Sequence, residues 1–537
     1  MADSPASGVE LAQQSRDCHA IERVPTAIAA FIGRTLKGPV NQALSVRSFA
    51  EFQQHFGGLW QPSTLAYAVE QFFENGGREA RIVRVVNGAR PPSITLPAGG
   101  AALRLVALNP GSREYLRVSV DYDGLTAGER ERFNIVVQRV RTAGSELVED
   151  QEIYRRVSVQ PASGRFVTDV LLESRLVRVL GTVPPQRPDR SAGGPGGVAV
   201  GYTLSNPDGD DGAPLTDYDI IGAAGSGSGL FALDGVGRFN LLCIPPLARE
   251  RDVGLSALLV AARLCRERHA LLIVDPPAAW TSARVALEAL RSWPFRSESA
   301  VMYYPRVQAF DRLRGRVETF GSCGAAAGMI ARSDEAWPVW SAAESEEAVL
   351  RPGLRPAVPV SEADRVRLTH AGVNTLLAVR PGGRAGVSPR TLAGGVSGAA
   401  DWKYLSARRL ALFVAASVEQ GTRWVLLEHN GPATWERAQA QVETFLDALA
   451  EQGAFAGTGP AESHFVIADE RVNRPSTLAE GKFNLLFGFA TSKPGEFDTW
   501  LVTHRAGASR VRPVSVNRSA TSKERVEWEI ETSILRG

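Results

Sequence analysis

Hydrophobic and polar positions between Val24 and Val86 predict two strands, two helices and a third strand. Two short apolar runs, Ile28 to Ile32 and Ala43 to Val46, have the length of buried strands. Two stretches then repeat apolar residues every three or four positions. The first follows Ser48 and the second follows Ser63 or Thr64, residue types that often cap helices. A last apolar run, Arg81 to Val86, predicts the returning strand.

The pattern changes after Val86. Residues 89 to about 215 alternate short β-like runs, such as LRLVAL and RFNIVVQRV, with turn residues. This region ends in the Pro/Gly-rich stretches PPQRP and SAGGPGG. The sequence therefore predicts a β-rich insertion with a loose exit.

Short buried strands alternate with helices from Phe239 onward, which predicts a mainly parallel, layered sheet. The strands are FNLLCIPPL, ALLIVDPP and SAVMYYP, followed by Val373 to Val379, Trp424 to Glu428 and Phe465 to Ala468. The predicted helices are Gly254 to Arg268, Thr281 to Trp293, Cys323 to Ala331, Trp402 to Glu419 and Thr434 to Gln452.

The C-terminal region predicts strands that need partners. Leu485 to Ala490 and Asp498 to Thr503 flank a Lys-Pro-Gly turn and predict a hairpin. In the final residues, Val526, Trp528 and Ile530 alternate with three glutamates. A solitary amphipathic strand has nothing local to pair with, so joining the sheet of another subunit would stabilise it.

Composition narrows the class of protein. A chain of 537 residues exceeds one hydrophobic core and predicts about two to four domains. The N-terminus MADSPASGVELAQQ lacks a basic start followed by an apolar core, and no uninterrupted apolar stretch has spanning length. We therefore expect synthesis in the bacterial cytoplasm without a signal peptide, and no direct membrane insertion. The net charge of +2 gives no overall field for nucleic acid.

Candidate catalytic and metal-binding residues are few. The string GSGSG, Gly225 to Gly229, resembles a phosphate-cradling loop, but a strand follows it where a helix should begin. Asp275 ends a predicted strand, and Pro276 and Pro277 favour a structural carboxylate that holds backbone amides or an arginine. Asp208, Asp210 and Asp211 lack the spacing of a calcium loop and predict a solvated turn. We expect no enzyme activity, cofactor or metal.

Several phrases of the sequence resemble contractile tail sheath proteins, the family that jackets the tubes of contractile phages, R-type bacteriocins and phage-like injection systems. The phrases are VPTAIAAFIGRTLKGPVN, SFAEFQQHFGG, LAYAVEQFFENGGREARIVRV, GAAAGMIARSDEAWPVWSAA, GVNTLLAVRPGGRAGVSPRTL, the stretch from WKYLSARRL to VETFLDAL, and NRPSTLAEGKFNLLFGFATSKPGEFDTWLV. They cover a little under half of the chain in the family's order. The family often opens with a PGVY-like strand, and here only Gly8, Val9, Glu10 and Leu11 match that position.

The resemblance implies an α/β fold class, more specifically a multidomain α+β protein. It consists of a layered α/β sheath core, an inserted β-rich domain and extended N- and C-terminal strand arms. The implied domains are an N-terminal arm (1–22), a conserved inner α/β domain (23–88 with 347–507), a middle α/β domain (89–98 with 216–346), a β-rich outer insertion (99–215) and a C-terminal arm (508–537).

The resemblance also implies a helical homopolymer that surrounds an inner tube and contracts from a metastable extended state. In sheaths both arms leave their own subunit and pair with the C-terminal hairpin of neighbours, about hinges expected here at Ala20 to Arg23 and Ala506 to Pro513. The residues implied for this strand exchange are Gly8, Val9, Glu10, Leu11, Leu485, Phe487, Phe489, Trp500, Val502, Val526, Trp528 and Ile530.

The implied partners are other copies of the chain, the inner tube protein, and baseplate and tail terminator or cap proteins. A helix of the C-terminal domain touches the tube in relatives, which implies contacts from Arg437, Gln441 and Glu443. The sequence leaves open whether the particle is a phage tail, a bacteriocin or an injection system. A non-contractile helical shell or scaffold and an α/β nucleotide-binding enzyme remain alternatives.

Overall fold

The computed structural model describes residues 20–191, 201–341, 349–378, 388–395 and 402–514. The chain divides into two compact units. The large unit comprises Thr26–Pro338 and Ala342–Leu405, and the small unit comprises Met1–Pro25, Val339–Ser341 and Ser406–Gly537.

The strands are β1 (Ala29–Gly33), β2 (Ala43–Val46), β3 (Ala80–Arg84), β4 (Ser93–Ala98), β5 (Ala101–Ala107), β6 (Leu116–Asp121), β7 (Arg132–Val140), β8 (Val148–Ser158), β9 (Val177–Val179), β10 (Thr203–Leu204), β11 (Leu241–Cys243), β12 (Leu271–Val274), β13 (Ala300–Tyr304), β14 (Val307–Asp311), β15 (Arg316–Phe320), β16 (Arg355–Pro356), β17 (Asn374–Thr375), β18 (His464–Ile467), β19 (Phe483–Phe489), β20 (Asp498–Arg505) and β21 (Ala508–Pro513). The helices are α1 (Phe49–Phe56), α2 (Thr64–Glu74), α3 (Val167–Leu171), α4 (Asp217–Ile221), α5 (Leu255–Glu267), α6 (Ala283–Leu290), α7 (Cys323–Ala336), α8 (Glu362–His370), α9 (Leu405–Gly421), α10 (Pro432–Glu451), α11 (Pro460–Ser463) and α12 (Pro475–Ala479).

The large unit is built on a seven-stranded sheet with the order β17-β13-β12-β11-β1-β3-β2. All neighbouring pairs are parallel except β2 with β3. Alternate residues of the strands enter two separate cores. Ala30 and Ile32 of β1 pack with α5 and α6, whereas Ala29 and Phe31 pack with α1, α2 and α7. Because both faces are covered, these strands are apolar at nearly every position.

The first helices begin and end where the sequence predicts. Ser48 Oγ accepts a hydrogen bond from the Glu51 amide, and Ser63 Oγ accepts one from the Ala66 amide. Gly57 ends α1 in the left-handed region at φ 88°, which glycine adopts without the steric cost of a side chain. These local signals position both helices against the sheet.

Residues 93–204 form the β-rich insertion. It contains a three-stranded sheet, β4-β5-β9, and a four-stranded sheet, β10-β6-β7-β8, which share one core. The two chain segments that connect it to the layered sheet pair with each other at Asn87 with Ala213 and at Arg90 with Asp210. The insertion therefore leaves and re-enters through one two-stranded stem.

The small unit differs in topology. Its sheet is antiparallel in the order β18-β19-β20-β21, and α9 and α10 supply its helical layer. The segment Leu405–Leu427 is the one described stretch that is long and apolar enough to cross a membrane by length and composition. About 67% of the residues in its most apolar 18-residue window are buried, as expected for a helix in the core of a soluble unit.

The α+β multidomain class is confirmed, but the predicted domain grouping needs correction. Residues 23–88 were grouped with 347–507, whereas β1 and β3 lie in the same sheet as β11, β12 and β13. The physical reason is burial, since β1 is paired on both edges by β3 and β11 and neither pair can be removed without exposing an apolar strand. The boundary between the units falls at Leu405, inside the predicted inner domain.

Three local predictions also differ from the structure. Arg423–Leu427 is a 3₁₀ helix and not a strand, and Val373 to Val379 contributes only Asn374–Thr375. The predicted hinge at Ala506 to Pro513 contains β21, and 508–513 is part of a sheet and not of a free arm. The predicted hinge at Ala20 to Arg23 is also anchored, since Ile21 is buried against Gly421 and Arg23 donates to Gln452.

Candidate functional site

The predicted strand-exchange hairpin exists, but its edges are already occupied. β19 pairs with β18 on one side and β20 on the other, and β20 pairs with β21. An incoming strand can therefore add to β19 or β20 only by displacing a strand of the same chain. Within the described residues, the two edge strands of this sheet are β18, which is buried along its whole length, and β21, which is mostly exposed.

The five hairpin residues predicted to exchange strands form the core of the small unit. They are alternate residues that share one face, with Phe487 opposite Trp500 and Leu485 opposite Val502. All five, including Phe489, are 0–1% exposed. The alternating apolar pattern that suggested an inter-subunit role is thus explained by burial under the helices of the same unit.

β21 has the properties of an edge strand. The Val514 amide donates to Thr499 O at 2.8 Å. Because alternate residues of an antiparallel strand face opposite neighbours, the main-chain groups of Ser509 and Val511 point away from β20. Pro513 has no N–H to offer, as is common on edge strands. Among the described residues, β21 therefore presents two N–H positions in one row without a partner strand.

The side chains of β21 are positively charged on the outside. Arg510 and Arg512 are exposed, and Val511 between them is 5% exposed. Charged residues on an edge discourage indiscriminate pairing and leave the edge open to a strand of opposite charge. The sequence predicts a hinge at Ala506 to Pro513, and only the register with β20 shows that these arginines lie on a strand.

A buried histidine fastens β21 to the helical layer. Thr422 Oγ1 donates to Val418 O at 2.7 Å, so it accepts the hydrogen bond from His504 Nε2 at 2.8 Å. The other ring nitrogen, Nδ1, lies 2.7 Å from Ser509 Oγ and accepts from it. Burial, assisted by Arg423, lowers the pKa of His504 to about 4. The neutral ring thus joins α9, β20 and β21.

A second buried titratable group lies at the start of β20. Asp498 accepts a hydrogen bond from Thr491 Oγ1 at 2.6 Å. Burial raises the pKa of Asp498 to about 6, although Thr491 and the charge of Arg408 oppose the shift. Each end of β20, the strand that pairs with β21, therefore carries a group with a shifted pKa, Asp498 at the start and His504 near the end.

The predicted tube contacts on α10 are only partly available at the surface. Gln441 is 4% exposed, and its amide accepts from Trp424 Nε1 at 2.7 Å and donates to Gly421 O. It is a core residue, because it satisfies the polar groups at the end of α9. Arg437 is exposed and pairs with Glu428 at 2.8 Å, and Glu443 accepts from Gln439.

An apolar projection adjoins this helix. Leu427 is 91% exposed and Leu426 is 40% exposed, at the end of the 3₁₀ helix that precedes α10. The sequence predicts a buried strand here and therefore does not predict that these two leucines are exposed. Both arms, Gly8 to Leu11 and Val526 to Ile530, lie outside the described residues.

Asp275 is a structural carboxylate, as predicted. It lies partly buried at the end of β12, and its Oδ1 accepts hydrogen bonds from the amides of Ser322 and Cys323. These amides open α7, so Asp275 caps a helix that is distant in sequence. Burial raises the pKa of Asp275, and the amides and the charge of Arg306 oppose that shift.

The polar groups of the other candidate sites form hydrogen bonds within the chain. In GSGSG, Ala224–Ser226 forms a 3₁₀ turn, and the Gly229 amide donates to Asn41 Oδ1 at 3.0 Å. Asp208 and Asp210 are exposed and Asp208 lies in a turn, as predicted. Asp208 also accepts from Ser93 and Asp211 accepts from Ser112, so these aspartates help to close the stem of the insertion. Among the described residues, no group of three or more His, Cys, Asp or Glu side chains could hold a metal.

Comparisons with known proteins agree with the fold. A prophage major tail sheath protein of Pseudomonas aeruginosa (strain UCBPP-PA14) is 26% identical over 285 residues, which are 51% of this chain and 69% of that protein. No family model matches the chain.

Solved structures of sheath proteins match nearly the whole chain. A sheath tail protein from Listeria innocua has a TM-score of 0.58 at 10% identity and covers 91% of this chain and 97% of its own. The sheath complex of an extracellular contractile injection system, PVC, in the contracted state has a TM-score of 0.51 at 15% identity, covering 93% and 97%. The baseplate of the anti-feeding prophage in the contracted state has a TM-score of 0.51 at 19% identity, covering 92% and 95%.

The fold is therefore that of tail sheath proteins. The sequence match, over 51% of this chain, is also to a tail sheath protein. The proteins it resembles are named as sheath proteins of a prophage tail and of a contractile injection system.

Proposed function

We propose that this chain is the structural subunit of a contractile sheath. Copies polymerise helically around an inner tube and contract from a metastable extended state, which drives the tube through a target envelope. The observation that carries the proposal is the open edge strand β21, with its outward N–H groups and its exposed arginines. The similarity to sheath proteins, including a contracted sheath complex, supports it.

The C-terminal tail of one copy supplies the strand that extends this sheet in a neighbour. Val526, Trp528 and Ile530 form an apolar face, and Glu527, Glu529 and Glu531 form the opposite, acidic face. The acidic face suits the arginines of β21, and arginine–carboxylate pairs add directional hydrogen bonds to the main-chain ladder. The N-terminal arm, with Gly8, Val9, Glu10 and Leu11, provides a second exchanged strand.

Strand addition of this kind is head-to-tail. A head-to-tail contact builds a helix unless the rotation happens to close a ring. Main-chain ladders between copies persist while the globular units move, so a lattice held by tails can change its pitch without falling apart. A free-energy difference of a few kcal/mol per subunit between two packed states suffices when many copies switch together.

The inner tube contacts the exposed side of α10. Arg437 and Glu443 remain candidates, whereas Gln441 does not, because its amide is consumed inside the unit. The exposed Leu426 and Leu427 next to this helix provide the apolar part of the same contact. Further partners are baseplate and tail terminator or cap proteins at the two ends of the assembled particle.

Deletion of residues 524–537 tests the proposal. We expect a variant that folds, with unchanged circular dichroism and unfolding midpoint, but sediments as a monomer. The full chain should form hollow striated cylinders in negative-stain electron micrographs. The substitution Ser533→Ala serves as the matched control and should assemble normally. Cylinders formed by the deletion variant would contradict the role of the tail.

A further inference from the structure

The large unit contains a basic groove that the proposed assembly does not use. It is a cleft of about 710 Å³ between the C-terminal end of α1 and the β7–β8 hairpin of the insertion. Its charged and amide lining residues are Lys37, Gln53, Gln54, Arg113, Arg141 and Glu149, and Tyr115 and Thr142 add hydroxyl groups. Clefts of this volume are in the range of known ligand sites, about 300–1,000 Å³.

The charges of the basic groove are unbalanced. Lys37 Nζ pairs with Glu149 Oε2, and both side chains are largely buried. Arg141 Nε lies 3.6 Å from Glu149 Oε1, so one carboxylate is shared between two cations. Arg113 is a third, exposed cation. Three positive groups against one negative group leave the cleft with excess positive charge, which attracts an anionic ligand.

The two exposed arginines of the groove are carried by neighbouring segments, because the Val140 amide donates to Tyr115 O at 2.9 Å. Lys37 and Arg141 meet at Glu149, at one place in the groove, and Arg113 is carried by the segment before β6. A chain with several carboxylates can pair with Arg113 and Arg141 together, and each arginine can bind a carboxylate with two hydrogen bonds.

The rest of the lining favours a polypeptide over a phosphate. Gln53, Gln54 and Gly57 belong to the C-terminal end of α1, where the Gln53 and Phe56 carbonyls accept hydrogen bonds from the Gly57 and Lys37 amides. Phosphate sites use the opposite end of a helix. The exposed glutamine side chains can donate to and accept from a main chain, and Leu36, Ala50 and Val148 add apolar surface.

We propose that the basic groove binds an extended acidic segment of a partner protein. The segment carries at least two carboxylates, which pair with Arg113 and Arg141, while Gln53 and Gln54 hydrogen-bond its main chain. This inference goes beyond sheath assembly, because it uses the large unit and requires neither β21 nor the C-terminal tail.

Fluorescence anisotropy with a labelled hexaglutamate peptide and the full-length chain tests this proposal. We expect binding that weakens steeply with salt, and at least a tenfold loss of affinity in Arg113→Ala/Arg141→Ala. The matched control is Arg263→Ala/Arg284→Ala, which removes two exposed arginines from α5 and α6 and should bind as the parent does. A labelled hexaglutamine peptide should not bind.

Two results would overturn the proposal. One is equal hexaglutamate affinity in the groove variant and the parent, because binding would then be general attraction to surface arginines. The other is inorganic triphosphate that displaces the peptide from the groove and binds more tightly than it does, because the ligand would then be a compact polyanion. The peptide assay does not depend on polymerisation, so its failure is distinguishable from failure of the sheath proposal.

Discussion

The main sheet of the large unit and the sheet of the small unit differ at their edges. The seven-stranded sheet of the large unit has helices on both faces, and its edge strands are short, with two residues in β17 and four in β2. The antiparallel sheet of the small unit ends in β21, a six-residue strand with exposed arginines. A short edge offers little to another chain, whereas a longer one is a template for strand addition.

This difference separates stability from assembly. In the large unit, polar side chains form hydrogen bonds within the unit. Asp275, for example, accepts from the first amides of α7. In the small unit, main-chain groups of Ser509 and Val511 are left facing outward. Substitutions in the large unit should therefore change folding, and substitutions on β21 should change association.

The largest effect is expected where α7 crosses α2. A Cβ atom on Gly324 would lie 2.0 Å from Ala68 O, which is backbone and cannot move aside without shifting a helix. We expect Gly324→Ala to destabilise the large unit by roughly 3 kcal/mol or more, at the upper end of overpacking costs. Chemical denaturation measures this. The control Gly235→Ala meets nothing within 4 Å and should be neutral, and equal midpoints would show that the helices are not in contact.

Removal of the buried carboxylate should have the next largest effect. Asp275→Ala leaves the amides of Ser322 and Cys323 without their acceptor, and we expect a loss of about 2–3 kcal/mol in the free energy of unfolding. Urea denaturation followed by tryptophan fluorescence measures it. If the variant were as stable as the parent, Asp275 would not be the cap of α7, and a functional role for its carboxyl would have to be considered again.

Acid should weaken the small unit through His504. The folded pKa is about 4 and the ordinary value is 6.5, so between these pH values the unfolded chain binds a proton that the folded unit excludes. Stability contributed by the neutral ring is therefore full above pH 6.5 and falls as the pH drops toward 4. A shift of this size corresponds to roughly 3 kcal/mol at most.

Asp498 has the opposite effect on stability as the pH falls. The contribution of His504 must therefore be measured by comparing the parent with a variant that lacks the histidine. The pKa of Asp498 is raised from 3.8 to about 6, and its contribution is present below 3.8 and lost as the pH rises through 6. The pH profile of unfolding should therefore be compared between the parent and His504→Phe. The variant should lose the decline between pH 6.5 and 4. A decline of the same size in both would assign it to other groups.

The smallest effect on folding, with a clear effect on association, is expected on β21. Arg510→Glu/Arg512→Glu reverses two exposed charges and should change the free energy of unfolding by less than about 0.5 kcal/mol. Sheath assembly, measured by sedimentation, should be strongly reduced, because the acidic tail then meets like charge. The exposed pair Arg314→Glu/Arg316→Glu in the large unit is the control and should assemble.

Much of the fold was predictable because its signals are local. Ser48, Ser63 and Gly57 define α1 and the start of α2, and the continuous apolar runs of β11, β12 and β13 indicated a parallel sheet. The grouping of 23–88 with the strands after Phe239 was not predictable, since it depends on which strands become neighbours. Pairing of β1 with β11 joins residues more than 200 positions apart.

The sequence predicts the strands of the candidate site, but it does not predict which of them lies at the edge of the sheet. Alternation in Leu485, Phe487 and Phe489 marked a real strand, yet the same alternation arises from burial within one unit and from exchange between copies. A strand that begins one residue after Gly507 looks like a flexible joint in the sequence, and only its register with β20 identifies β21 as the edge. Likewise, Gln441 is polar on a helix but buried by Trp424.

The central claim is that β21 receives the tail of another copy. Hydrogen exchange of the Ser509 and Val511 amides, measured by mass spectrometry or NMR, tests it most directly. The account predicts slow exchange in assemblies of the full chain and fast exchange in the variant that lacks residues 524–537, with amides of β19 protected in both. Equally fast exchange of the Ser509 and Val511 amides in the two samples would contradict it.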